Sequence, residues 1–169
     1  QSNKQTITSC INNEIKPNRI SFIHTKKKYS VLIAGCGTGL QVFDAFSYSD
    51  ADITAIDLSS TSLAYAKRKT EEKGVENVIF IQMDILDLPS LNIKFDLIEC
   101  AGVLHHMNEP LIGFEALLKV LSDGGFIKLA LYSKLARRDV VRARDMIKSK
   151  GIYSNKASIS QFRKDLIDG

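Results

Sequence analysis

The sequence has no long hydrophobic run, since its apolar stretches span about five residues and a membrane-spanning helix needs roughly 20. The first ten residues, QSNKQTITSC, are polar and lack the apolar centre of a signal peptide. Only three cysteines occur, Cys10, Cys36 and Cys100, and no two of them form a CxxC pair. These absences argue against a membrane protein and against a metal or redox-active cysteine site. Scattered cysteines are typical of a reducing compartment, so we expect a cytoplasmic protein.

The composition that remains is that of a soluble globular domain, with 44% hydrophobic and 25% charged residues in a chain of 169. The formal net charge is +4, and basic residues cluster at 26–28, 67–69 and 136–150. Such clusters are compatible with a nucleic-acid partner. No aromatic residues alternate with them, however, so solvated helix faces are the simpler interpretation.

Short apolar runs alternate with helical patterns along the middle of the chain. Runs of this length suit strands that are buried on both faces, as in a parallel sheet, and they lie at 29–34, 53–57, 78–82, 95–100 and 126–132. Ser59 or Ser60 caps one predicted helix through Lys73, and Pro110 opens another that continues through Leu121. The alternation predicts an α/β fold: a Rossmann-like doubly wound parallel sheet of at least five strands in three layers.

After Ser133 the pattern becomes purely helical. The spacing of Ala136, Val140, Ala143 and Ile147 predicts one amphipathic helix, and Ile159, Phe162 and Leu166 predict a second. Since no further strand is readable, we expect the C-terminal strands of the sheet to be missing. The expected organisation is an N-terminal extension at 1–28, a Rossmann-like core at 29–133 and a truncated helical segment at 134–169.

The first predicted strand ends in a glycine-rich turn, GCGTG, at residues 35–39. Glycines allow a sharp turn and place no Cβ between the backbone and a bound nucleotide. Leu40 occupies the position where the dinucleotide fingerprint G-x-G-x-x-G has its last glycine, and no lysine follows at P-loop spacing. The turn therefore argues against an NAD-dependent oxidoreductase and a P-loop enzyme, although a plain strand-to-helix turn would carry similar glycines.

Acidic residues follow the second and third predicted strands. Asp57 lies 22 residues after Gly35, near the offset of a carboxylate that accepts hydrogen bonds from ribose hydroxyls. Asp84 can accept a hydrogen bond from an adenine amino group, and the neighbouring Ile85 can pack on the ring. Asp57 could instead begin only the turn into the next helix, and Asp87 is more consistent with a cap for its own turn.

The fourth predicted strand ends at Cys100 and Gly102, on the same edge of the sheet, and two adjacent histidines follow it. Adjacent histidines on a helix point about 100° apart, which is poor metal geometry without other ligands. One of His105 and His106 could face a substrate cleft as a general base; otherwise both pack or hydrogen-bond locally.

The ordered set of these motifs resembles class I S-adenosylmethionine-dependent methyltransferases over residues 29–133. The segments that carry the resemblance are VLIAGCGTG, ITAIDLSSTSLAYAKRK, VIFIQMDILDLP, FDLIECAGVLHHM and LLKVLSDGGFIKLALYS. Within that superfamily the chain is most similar to bacterial methyltransferase modules fused to tetratricopeptide repeats.

The resemblance implies a cofactor, S-adenosyl-L-methionine, and a set of residues that contact it. The glycine loop would pass beneath the methionine part, Asp57 would hold the ribose, Leu58, Asp84 and Ile85 would border the adenine, and the end of the fourth strand would border the sulfonium and the acceptor. The implied contacts are Gly35, Cys36, Gly37, Gly39, Asp57, Leu58, Asp84, Ile85, Cys100, Gly102 and Val103.

The implied reaction is methyl transfer by in-line displacement to an unidentified acceptor, either a small molecule or a protein. The cofactor supplies the chemistry and the protein supplies orientation, so a base is needed only if the acceptor must lose a proton. His105 and His106 are the candidates for that base. The alternative is a non-catalytic module that binds the cofactor or a protein partner. We also expect that the outer edge of the fifth strand is exposed, which favours self-association.

Overall fold

The computed structural model describes residues 4–16, 26–133 and 135–168. They form two compact units, one ending at Leu131 and one beginning at Tyr132. The elements of the first unit are α1 (Ile7–Ile15), β1 (Tyr29–Ala34), α2 (Leu40–Ala45), β2 (Ala51–Asp57), α3 (Ser60–Glu72), β3 (Val78–Gln82), a 3-10 helix (Ile85–Leu91), β4 (Phe95–Ala101), a 3-10 turn (Leu104–His106), α4 (Pro110–Lys119) and β5 (Leu121–Ala130). The second unit contains α5 (Arg138–Ser149) and α6 (Lys156–Asp168).

The five strands form one parallel sheet in the order β3-β2-β1-β4-β5. The chain moves outward from β1 through β2 to β3 and then crosses back to β4, on the other side of β1. This reversal is the switch point of a doubly wound sheet, where ligands bind beyond the carboxyl ends of the strands. The predicted Rossmann-like α/β fold is therefore confirmed.

The central strand β1 shows why the sheet is covered on both faces. Val31 and Ile33 point into one apolar cluster with residues of α1, α2 and α3. Leu32 and Ala34 point into a second cluster with residues of α4 and the 3-10 helix after β3. Because successive side chains of a strand point to opposite faces, a continuous apolar run is what a sheet buried on both sides requires.

Helix ends follow the capping signals of the sequence. The hydroxyl of Thr6 accepts a hydrogen bond from the Ser9 N–H at 3.2 Å and begins α1. The hydroxyl of Ser59 does the same for the Ser62 N–H, also at 3.2 Å, at the start of α3. These bonds satisfy N–H groups that a helix leaves without partners in its first turn. Gly74 follows the end of α3 with φ +66°, a conformation that favours glycine.

Two predicted boundaries near α4 and β5 are wrong. The apolar pattern extends the helix through Leu121, but α4 ends at Lys119 because the Val120 carbonyl accepts a hydrogen bond from the Phe95 N–H at the start of β4. Pairing with β4 therefore begins at Leu121, five residues before the predicted strand start at Phe126, and the register is irregular between Phe95 and Leu97.

The next helix begins later than the sequence pattern predicts. The hydroxyl of Ser133 accepts a hydrogen bond from the Ala136 N–H at 3.3 Å, and its carbonyl accepts one from the Arg137 N–H. These bonds hold a turn, and α5 begins only at Arg138. In the part of the chain that the structure describes, none of the helices is long and apolar enough to cross a lipid bilayer.

Candidate functional site

A cavity of about 780 Å³ opens at the carboxyl ends of the strands in the first unit. Its position beside the switch point between β1 and β4 is where an open α/β sheet holds its ligand. The residues that line it come from the loops after β1, β2, β3 and β4 and from the start of α4: Gly35, Gly37, Asp57, Leu58, Met83, Asp84, Ile85, Leu86, Ala101, Gly102, Val103, His106, Met107, Asn108, Glu109 and Ile112.

Each glycine of the loop after β1 has a positive φ, but the three have different surroundings. A Cβ on Gly35 would lie 2.3 Å from Cγ2 of Val103, so this glycine lets Val103 pack over the loop. A Cβ on Gly37 would meet no atom within 4 Å, so the loop is open to the cavity there. A Cβ on Gly39 would lie 2.9 Å from Cβ of Ala66, which shows that this glycine allows α3 to approach α2. Gly39 does not line the cavity.

Asp57 connects the end of β2 to the glycine loop. One carboxylate oxygen accepts a hydrogen bond from the Gly37 N–H and the other from the Ser59 N–H, both at 2.8 Å. The residue therefore lines the cavity and also begins the turn into α3. A carboxylate has about four acceptor positions, and capacity remains for a ligand hydroxyl.

Asp84 and Ile85 lie at the end of β3, on the same rim as Asp57. One oxygen of Asp84 accepts a hydrogen bond from the Leu86 N–H at 2.9 Å, which caps the 3-10 helix that follows. Ile85 is buried, whereas Leu86 is 45% exposed, and both line the cavity. This wall thus combines a fixed acid with apolar surface, which suits a flat ring that carries an amino group.

The segment after β4 forms the opposite wall. Gly102 has φ +77°, and a Cβ there would meet no atom within 4 Å. The 3-10 turn is held by a hydrogen bond from the His106 N–H to the Val103 carbonyl, at 2.8 Å. Met107 packs against α4, since a Cβ on Gly113 would lie 2.5 Å from the Met107 sulfur. The wall therefore packs against α4 through Met107.

The two histidines have different positions. His106 is exposed and lines the cavity, whereas His105 is half-buried and does not line it. Their Nε2 atoms are 3.1 Å apart, so one imidazole donates a hydrogen bond to the other. Of the residues that the structure describes, no group of three or more histidine, cysteine or acidic side chains is placed to hold a metal ion.

Cys36 and Cys100 lie in the apolar clusters and do not line the cavity. Burial, together with the nearby Asp57 charge, raises the pKa of the Cys36 thiol to about 12. Burial raises the pKa of the Cys100 thiol to about 11. Both thiols are therefore protonated at neutral pH, and neither is suited to act as a nucleophile.

Some lining residues were not predicted from the sequence. The motifs singled out the ends of the strands, whereas the structure adds residues that follow them, namely Met83, Leu86, Met107, Asn108, Glu109 and Ile112. For the last four the sequence offered one signal, the position of Pro110 directly after the histidine turn. This position places the start of α4 at the rim of the sheet.

Comparison with known proteins adds a family and a fold. The profile of a methyltransferase domain family matches residues 25–162. An uncharacterized protein of Synechococcus is 36% identical over 119 residues, which cover 69% of this chain and 28% of that protein. The tRNA U34 carboxymethyltransferase of Campylobacter fetus is 33% identical over 114 residues, which cover 67% of this chain and 38% of that enzyme.

Among solved structures, PKMT2 from Rickettsia typhi in complex with AdoHcy superimposes with a TM-score of 0.77. It is 23% identical, and the match covers 96% of this chain and 33% of that one. The likeness therefore concerns the fold. The chain spans about a third of the length of these proteins, between 28% and 38%.

Proposed function

This chain belongs to the methyltransferase domain family, and we propose that its cavity binds S-adenosylmethionine and that the protein transfers the cofactor's methyl group to an acceptor. The observation that carries the proposal is the meeting of the glycine loop, Asp57 and Asp84 at one cavity beside the switch point. When bound, S-adenosylmethionine supplies the methyl group, which is attached to its positively charged sulfur. After the transfer the sulfur remains as part of a neutral thioether.

The residues present fit this cofactor in shape. Gly37 and Gly102 both line the cavity, and a Cβ on either would meet no atom within 4 Å. The two glycines therefore leave open space where a ligand can approach the backbone closely. A cavity of about 780 Å³ lies within the range of roughly 300–1,000 Å³ that is usual for small-molecule and cofactor sites.

The polar groups support a division of roles. Asp57 would accept hydrogen bonds from the ribose hydroxyls while it holds the Gly37 N–H. Asp84 would accept one from the adenine amino group, and Leu58 and Ile85 would pack on the ring. Gly35, Gly37, Gly102 and Val103 would border the methionine part and the sulfonium. Cys36, Gly39 and Cys100 do not line the cavity, and their direct contact with the cofactor stays a prediction.

The test is a comparison of three ligands on the chain: S-adenosylmethionine, S-adenosylhomocysteine and NAD. We expect the first two to raise the melting temperature, since a ligand at 100 times its dissociation constant adds roughly 2.7 kcal/mol to the free energy of unfolding. NAD is expected to have no effect, because Leu40 replaces the last glycine of the dinucleotide fingerprint. Stabilisation by NAD alone would show that the proposal is wrong.

A chain that binds S-adenosylhomocysteine but forms none of it from S-adenosylmethionine with any acceptor would be the non-catalytic module. Fusion to tetratricopeptide repeats, a cytoplasmic location and the division into an extension, a core and a helical segment also stay predictions.

A further inference from the structure

The charged residues that line the cavity have one sign. Asp57, Asp84 and Glu109 are acidic, and the lining as described contains no lysine or arginine. A cleft lined by charges of one sign, with low-dielectric walls, concentrates their potential. The cavity therefore favours cationic ligands and opposes anionic ones.

The topology separates the three acids. Asp57 and Asp84 follow β2 and β3, on one side of β1, and both are engaged in the proposed cofactor contacts. Glu109 follows β4, on the other side of β1, and directly precedes α4. It is thus the acidic group that remains for an acceptor.

Apolar surface lies next to Glu109. Ile112, three residues further along the chain, lines the cavity and is 46% exposed. A large apolar side chain that faces a cavity offers contact area to an apolar part of a ligand. An acceptor held at this wall would place a polar head at Glu109 and an apolar body against Ile112.

We infer that the methyl acceptor is an amine attached to an apolar body, an inference that rests on the proposed function. The amine binds at Glu109 as an ammonium and releases a proton to water before the transfer. Its nitrogen lone pair then forms the new bond to the methyl carbon while the electrons of the carbon–sulfur bond pass to sulfur. The positive charge therefore moves from sulfur to nitrogen and stays in the cavity, where Glu109 stabilises it.

The same electrostatics disfavours other acceptors. A carboxylate acceptor would have to enter as an anion, against the acidic lining. Methylation of a carboxylate, or of a phenol that has lost its proton, would remove the positive charge that the lining stabilises. The phosphates of a nucleic acid meet the same obstacle. The tRNA carboxymethyltransferase relative is therefore not a guide to the substrate that enters this cavity.

The test uses three probes with the same ring and different head groups: benzylamine, benzyl alcohol and benzoate. Their binding to the whole chain saturated with S-adenosylhomocysteine is measured by calorimetry, and methyl transfer is measured with S-adenosylmethionine. We expect benzylamine to bind at least about tenfold more tightly than benzoate and to be the probe that is methylated. A peptide with a single lysine distinguishes a protein-borne amine from a free one. Tighter binding of benzoate, or no binding of any amine probe, would overturn the inference.

Matched variants at the start of α4 and along it identify the side chains that bind the amine and its apolar body. Glu109→Gln is compared with Glu115→Gln, which changes an exposed acid outside the lining. We expect only Glu109→Gln to remove the preference for benzylamine over benzyl alcohol, with the affinity for S-adenosylhomocysteine unchanged.

The apolar contact is tested by a second pair, Ile112→Asn and Leu118→Asn. The two side chains are 46% and 45% exposed, and of the two only Ile112 lines the cavity. Only Ile112→Asn is expected to weaken the binding of benzylamine and benzyl alcohol alike.

The two proposals fail differently. Loss of S-adenosylhomocysteine binding by the unmodified chain refutes the proposed function and removes the basis of this inference. Normal binding of S-adenosylhomocysteine together with an equal effect of Glu109→Gln and Glu115→Gln refutes the inference about the acceptor alone.

Discussion

The carboxylate of Asp57 accepts a hydrogen bond from the backbone N–H of Gly37 at 2.8 Å. This bond joins the end of β2 to the loop after β1, across the two strands that pair from Tyr29 and Ala51 onward. The acid thus holds the loop in position. A loop held in position lowers the entropic cost of binding, so we expect Asp57 to contribute to affinity through the loop as well as through its own contact with the ligand.

Asp57→Ala is expected to weaken the binding of S-adenosylhomocysteine about 10- to 100-fold, because hydrogen bonds to a charged group contribute roughly 1.5–3 kcal/mol. Calorimetry on the folded variant measures the change. Asp87→Ala is the control, since Asp87 lies on the 3-10 helix after β3 but does not line the cavity. Equal affinities for the two variants would mean that Asp57 acts only as a turn residue.

Gly35→Ala is expected to lower the free energy of unfolding by about 2–5 kcal/mol, which combines the cost of a left-handed alanine with that of overpacking against Val103. The φ of +75° accounts for the first part and the 2.3 Å approach to Val103 for the second. Urea denaturation measures the change.

A double-mutant cycle separates the two causes of that loss. Val103→Ala in the Gly35→Ala background is expected to recover the overpacking part, with a coupling of about 1 kcal/mol or more. Gly37→Ala has φ +51° and no neighbour within 4 Å, so it is expected to lose only about 1–2 kcal/mol. Additive effects of Gly35→Ala and Val103→Ala would show that no contact between these positions limits the loop.

Most of the sheet could be predicted because its strands read as short apolar runs. The run from Tyr29 to Ala34 gives both boundaries of β1, which is buried on both faces. The run from Val78 to Gln82 gives both boundaries of β3, although Ile79 is 64% exposed. The boundary between α4 and β5 could not be predicted, because Leu121 continues the apolar pattern of the helix. Pairing of β4 with β5, a contact between distant parts of the chain, decides it.

The candidate site was predictable where it depends on strand ends and unpredictable where it depends on packing. Glycines and acids at the ends of β1, β2 and β3 point to the cavity through local spacing. The roles of Gly39 and Cys100 depend on what packs behind the loops, namely Ala66 for Gly39 and the apolar cluster for Cys100. Glu109 and Ile112 reach the cavity only because the turn after β4 sets the start of α4 at the rim.

The outer edge of β5 leads to a prediction about association. β5 pairs with β4 on one side, and no strand in the described part of the chain pairs with its other side. An open edge with apolar side chains such as Leu129, which is 37% exposed, invites pairing with another copy. We expect a molar mass that increases with concentration in light scattering, and a smaller increase for Leu129→Lys. Leu118→Lys, on α4, is the control, and a monomer at all concentrations would contradict the prediction.

The last prediction concerns Glu99, which is only 6% exposed in the middle of β4. The Tyr48 hydroxyl donates a hydrogen bond to one of its carboxylate oxygens. Glu14 of α1, Asp44 of α2 and Lys128 of β5 are other titratable groups that act on it, and Lys128 forms an ion pair with Glu14 at 2.5 Å. The charge of Glu99 in turn acts on Cys10 of α1. Burial raises the pKa of Glu99 above its usual value of 4.5, although Tyr48 and Lys128 oppose the shift.

A raised pKa in the folded state means that the folded protein holds the proton of Glu99 more tightly than the unfolded chain does. The stability that this provides is present below the unfolded pKa of 4.5 and is lost as the pH rises toward the folded pKa. Glu99→Gln keeps an oxygen that can accept the Tyr48 hydrogen bond but cannot ionise. We therefore expect the stability of Glu99→Gln relative to the unmodified protein to increase as the pH rises above 4.5, measured by urea denaturation at a series of pH values. Glu115→Gln, at an exposed position, should show no such trend, and a pH-independent difference for Glu99→Gln would show that burial does not control this carboxyl group.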